Sequence, residues 1–109
     1  MTTQTASERI VQTVSTWPGV EVERGEIGEL GFRVGRREIG HLHGDHAAHF
    51  SFPRPLWDEL HRDGRIVHHP VFPGRRGPAA RRIRDEADVD DVIALLRLNY
   101  ERLAQARSA

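Results

Sequence analysis

Histidine is the residue in this chain best suited to chemistry, and it is unevenly spread. Of seven histidines, His41, His43, His46 and His49 fall in one stretch, R-E-I-G-H-L-H-G-D-H-A-A-H-F-S-F-P-R-P from Arg37 to Pro55. A neutral imidazole can take a proton from an acidic C–H or O–H. It can also ligate zinc or nonhaem iron, as can the carboxylate of Asp45. On a strand, H-x-H puts both rings on one side. The metal set that this spacing allows is His41, His43 and His46. No zincin-type signature accompanies it, and no Gly-rich phosphate loop is present, so neither a metal nor a nucleotide cofactor is expected.

The stretch also reads as two strands and a tight turn. Gly44-Asp45 is a two-residue hairpin signal, and Gly35-Arg36 is a second with glycine first, as a type II′ turn prefers. With those loops, Leu42 faces Ala47, His41 faces Ala48, Gly40 faces His49 and Phe32 faces Ile39. Leu30, Phe32, Val34, Ile39, His41, Ala48, Phe50 and Phe52 then share one face, with His43 and His46 at its turn end. Gly31, Arg33, Glu38, Gly40, Leu42, Ala47, His49 and Ser51 share the other. His41 is thereby expected on the apolar face, in a cavity beneath the helices, as the base of any catalytic site. Arg33 and Glu38 are expected to pair across the polar face.

Other residues are candidates for holding a substrate. His43 and Phe50 would line the same cavity. His68-His69 puts one ring on each sheet face, so His69 can join it. Arg82 and Arg84, alternate residues of a short strand, can grip a carboxylate or phenolate with bidentate hydrogen bonds. Arg75 and Arg76, in the proline- and glycine-rich segment Val71–Pro78, can close over an anion. His49 on the polar face reads as a plain exposed histidine. Trp17 and Trp57 fall on helix stripes and read as core.

Composition narrows the class. At 109 residues and 38% hydrophobic content, one domain with one core is expected. The formal net charge is +0, so no global field draws in nucleic acid or an anionic membrane. All basic side chains are arginine, which removes Schiff-base chemistry, and Cys 0 removes disulfides, thiol nucleophiles and thiolate metal sites. No apolar run spans a bilayer and no signal peptide is apparent, so a cytoplasmic protein is expected.

The elements that must position the histidines follow from local signals. Met1–Gln4 should be loose, and Thr5-Ala6-Ser7-Glu8 is a capping box for a helix carrying Ile10, Val11, Val14 and Trp17. A strand over Val20–Arg24 precedes the meander of Leu30–Phe52. Pro55 opens a second helix with Leu56, Trp57 and Leu60, ending near Gly64. Strands follow at Arg65–His69 and Ala80–Arg84. Asp85 caps a last helix with the stripe Val89, Val92, Ile93, Leu96, Tyr100 and Leu103. The order α-β-β-β-β-α-β-β-α predicts an α+β two-layer sandwich, a mostly antiparallel sheet with helices on one face.

The segments W-P-G-V-E, G-F-R-V-G-R-R-E-I-G-H-L-H-G-D, F-P-R-P-L-W-D-E-L and L-L-R-L-N-Y-E-R resemble small bacterial proteins of the luciferase-domain family. That family is related to the fungal luciferases. The resemblance runs from about Trp17 to Arg102, with G-H-L-H-G-D its most specific part. Fungal luciferases oxidise a hydroxylated hispidin with molecular oxygen, without metal or flavin. The resemblance therefore implies a small-molecule-binding domain, as an enzyme a cofactor-independent oxygenase of a phenolic or enolic substrate. The membrane segment that precedes the fungal domain is missing here, so light emission is not expected. The layout also resembles the small YjbR-like bacterial domains. The alternative function is a non-enzymatic binding module with structural histidines, or a histidine-rich metal site. Neither the ligand nor the oligomeric state is legible.

Overall fold

The computed structural model describes residues 4–108. The elements are α1 (Ala6–Val14), β1 (Val20–Arg24), β2 (Leu30–Val34), β3 (Arg37–His43), β4 (Ala47–Ser51), α2 (Arg54–Arg62), β5 (Val67–His68), β6 (Pro78–Arg82) and α3 (Glu86–Ser108). The expected α+β class and element order are both observed. The six strands form one antiparallel sheet in the order β1-β2-β3-β4-β6-β5. Of the stretch expected to be loose, Met1–Thr3 lie outside the described residues.

Local chemistry explains where the helices begin. The Thr5 side chain accepts from the Glu8 N–H, and Glu8 reaches back to the Thr5 N–H, completing the capping box. Pro55 sits in the first turn of α2, where its missing N–H leaves no intrahelical bond unmade. The Asp85 carboxylate accepts the Asp88 N–H at 2.9 Å and so caps α3.

The three helices pack on one side of the sheet. Ile10 and Val14 of α1, Trp57 and Leu60 of α2, and Val92, Leu95 and Leu96 of α3 share one core with Phe32, Leu42, Ala48 and Phe50. The Trp57 indole N–H donates to the Pro78 carbonyl at 2.9 Å, tying α2 to β6. Arg81 turns into the helical layer, bonded to Asp88 at 2.7 Å and Asp91 at 2.9 Å, and Arg65 meets the same Asp91 at 2.6 Å. This ion network joins β6, the segment before β5 and α3.

The register of the meander departs from the expected one in two places. The Gly35-Arg36 turn is as read: Val34 faces Arg37 and Arg33 faces Glu38, with Gly35 at φ +63°. Phe32, however, faces Gly40, so Ile39 is the extra residue of a β-bulge. The second turn has three residues, Gly44, Asp45 and His46, so His43 faces Ala47, Leu42 faces Ala48 and His41 faces His49. Asp45 does not bond its own backbone as a tight turn would have it. Its carboxylate accepts the Ser7 N–H at 2.9 Å, and the His46 carbonyl accepts the Ile83 N–H at 2.8 Å. Contacts to α1 and to the end of β6 hold the longer loop.

The bulge inverts the second half of β3. Ile39 and Leu42 are buried, at 0% and 1% exposure, while His41 and His43 turn to the opposite face. Burying leucine in place of two imidazoles is the favoured outcome. A buried leucine contributes about 1.5–3 kcal/mol, whereas a polar ring without partners costs free energy. Among the described residues, the predicted cavity around His41, between sheet and helices, is therefore not formed. Phe32, Leu42, Phe50 and Leu96 fill that space.

Candidate functional site: a histidine face on the open side of the sheet

The bulge gathers imidazoles on the sheet face that carries no helix. His41 and His49 stand directly opposite each other on β3 and β4, and His43 follows two residues along β3. Ring centroids are 4.9 Å apart for His41–His43, 5.2 Å for His41–His49 and 4.3 Å for His43–His49. One ring nitrogen from each residue can be chosen so that all three lie within 4.8 Å of one another. His69, just beyond β5, lays its ring 4.2 Å from that of His49 and is backed by Phe72 at 5.3 Å.

Glu38 orients the first ring. Its carboxylate lies 3.1 Å from His41 Nδ1 and accepts that N–H, leaving the Nε2 lone pair free. Glu38 therefore does not bridge to Arg33 as expected; Arg33 pairs with Glu23 at 3.1 Å instead. Gly31, the β2 partner of His41, supplies the room. A Cβ there would lie 3.1 Å from Glu38 Oε1.

His49 is the most perturbed of the rings. Partial burial, chiefly, and then the neighbouring His69, His43 and His41 push its pKa down to about 4. Burial and the same His41 and His43 neighbours also lower His69. His69 Nδ1 accepts the Val71 N–H at 3.1 Å, which places the ring proton of the neutral form on Nε2.

The structure sorts the residues read from the sequence. His41, His43 and His69 do come together, on the outer face. Phe50 does not join them, since it is buried on the inner face. Arg82 lies on the histidine side, in the cross-strand row of His43 and Ala47. Arg84 lies beyond β6 and turns to Asp88 at 3.4 Å. Arg76 is held by Asp58 at 2.7 Å, and Arg75 lies 5.8 Å from the Phe72 ring centre. His46 leaves the metal set. It lines a groove of about 490 Å³ with Ala6, Ile83 and Val89 at the opening of α3. His49, read as a plain exposed side chain, takes its place.

A family model described as a luciferase domain matches residues 36–99, more than half of the chain. The protein belongs to the luciferase-domain family. The matched part of this luciferase domain runs from the β2–β3 turn to Asn99, so it includes the bulge and every histidine. No curated protein and no solved structure matches the chain. Among the described residues, no helix is long and apolar enough to cross a membrane.

Sequence reasoning missed three contributors: Glu38 as the partner of His41, Gly31 as the space beside it, and Asn99. The Asn99 amide, 1% exposed, donates to the Ile39 carbonyl at the bulge and to the Ser51 carbonyl, both at 3.1 Å. Its position on the stripe of α3, three residues after Leu96, was the available signal: a polar amide amid apolar positions of a helix is bonded to something.

Proposed function

We propose that the histidine face is the working surface of this luciferase domain, binding a small phenol or enol and drawing off its acidic proton at His41. The observation that carries this reading is the Glu38–His41 contact of 3.1 Å. A carboxylate on Nδ1 fixes the tautomer in which Nε2 is the acceptor, and it stabilises the imidazolium once the proton arrives. The phenolate or enolate then faces a positive ring. Arg82, in the row of His43, is within the same face to meet its far side. His69 and Phe72, with ring centroids 5.3 Å apart and tilted to each other, offer ring surface to an aromatic ligand.

An enolate or electron-rich phenolate is the form of such a molecule that dioxygen oxidises, which fits an oxygenase acting on the anion itself. The test is ligand-detected NMR of the metal-free protein against a set of small phenols and enols, followed by oxygen-uptake measurements on any that bind. His41→Ala is expected to abolish binding, and Glu38→Gln to weaken it, with the thermal melt of each variant still cooperative. Binding that survives unchanged in His41→Ala would remove His41 from the mechanism.

A further inference from the structure

We propose that His41, His43 and His49 form a binding site for a divalent transition-metal ion, zinc or a borderline ion of similar size. This goes beyond the reading of the histidine face: with an ion on its Nε2, His41 no longer takes a proton, and the ion itself supplies the counter-charge to a phenolate.

Four observations converge. The three donors come from two neighbouring strands in register, His41 facing His49 and His43 next along β3, so a rigid scaffold holds them. Their ring nitrogens already lie within 4.8 Å of one another. Zinc–imidazole bonds of ~2.0–2.1 Å set tetrahedral ligand nitrogens roughly 3.3 Å apart, a distance that small side-chain rotations reach. Glu38 on His41 Nδ1, at 3.1 Å, is the carboxylate that ligating histidines commonly carry behind them. The set has three imidazoles and opens away from the helical layer, which leaves a fourth position for water or an anionic oxygen.

The neighbouring rings do not compete. His69 holds its Nε2 proton, because its Nδ1 accepts from Val71. His61 stacks on Trp57 at 4.7 Å and His68 lies tilted against it at 4.9 Å, on the helical side of the sheet. His46 lies in the groove beside Ala6.

The experiment is a titration of the chelator-stripped protein with Zn²⁺ alone and with Co²⁺ alone, near neutral pH. Calorimetry gives the stoichiometry, and the visible spectrum of Co²⁺ gives the coordination. One ion per chain is expected, with the strong visible bands of a four-coordinate cobalt site. His43→Ala and His49→Ala should each lose saturable binding, and Glu38→Gln should weaken it about 10–100-fold. His46→Ala should titrate like the parent. His43→Asn and His49→Asn, closer in size, serve if an alanine variant fails to melt cooperatively. Absence of one-to-one binding, or binding that persists without His43 and His49, overturns the site. Phenol binding is measured without metal, so the failure of either proposal leaves the other to stand on its own result.

Discussion

Replacing Asn99 tests how the histidine face is held. Its two amide hydrogens go to the Ile39 and Ser51 carbonyls at 3.1 Å, and its Oδ1 accepts from Arg102 at 3.1 Å and 3.3 Å. The side chain is fully used, and the Ile39 carbonyl it serves belongs to the bulged residue. In Asn99→Ala that carbonyl loses its side-chain partner in a dry environment, at a cost of about 1–3 kcal/mol, while the Ser51 carbonyl, nearer to water, adds about 1 kcal/mol. The variant should be less stable by about 2–4 kcal/mol, and its melting temperature should fall by roughly 8–20 °C for a domain of this size. Asn99→Leu restores volume without the donors and should be destabilised similarly. Asn99→Asp, which sets an acceptor against two acceptors, should be worse than either. Thermal and urea unfolding followed by circular dichroism measure the loss, and amide exchange in β3 shows whether the bulge opens. If Asn99→Leu unfolds within about 0.5 kcal/mol of the parent, the range of an ordinary surface change, the amide is not what holds the bulge.

Two further outcomes follow from the same core. Gly40→Ala would place a Cβ 2.6 Å from Leu96 Cδ2 and 3.2 Å from the His49 carbonyl oxygen. It should destabilise by about 1–3 kcal/mol through overpacking, read as a lower urea midpoint, whereas Gly74→Ala, with open space around it, should be neutral. Asp88 accepts the Arg84 N–H at 2.9 Å and the Arg81 guanidinium at 2.7 Å, and its carboxyl is held below the usual range, chiefly by the Arg84 N–H. A depressed folded-state pKa stabilises above the unfolded value of about 4 and is lost as pH falls through the folded value. Asp88→Asn should therefore melt lower than the parent at neutral pH, by about 1.5–3 kcal/mol for a charged hydrogen bond. The gap should narrow below about pH 4; a gap that persists undiminished in acid would show that charge is not its cause.

Signals acting within a few residues were sufficient for the order of elements, the helix starts and the class of the fold. The Thr5–Glu8 capping box, Pro55 in the first turn of α2 and Asp85 before α3 each work locally, and each is where it was read. The faces of β2 and β4 were also legible, because Phe32, Val34, Ala48 and Phe50 alternate with residues that tolerate water. The phase of β3 was not. A bulge at Ile39 and a third residue in the next turn each shift the pairing by one, and the two shifts cancel at β4. The aromatic alignment therefore agreed with a register in which His41 pointed inward. What decides between the registers is remote in sequence: Asn99 on the Ile39 carbonyl, Ser7 on Asp45 and Ile83 on His46. The clustering of histidines was thus legible in the chain. That they face outward together, with Glu38 behind His41 and His49 among them, came only from packing. A strand's side-chain period of two turns a single-residue shift into a change of face, and only distant contacts settle such a shift.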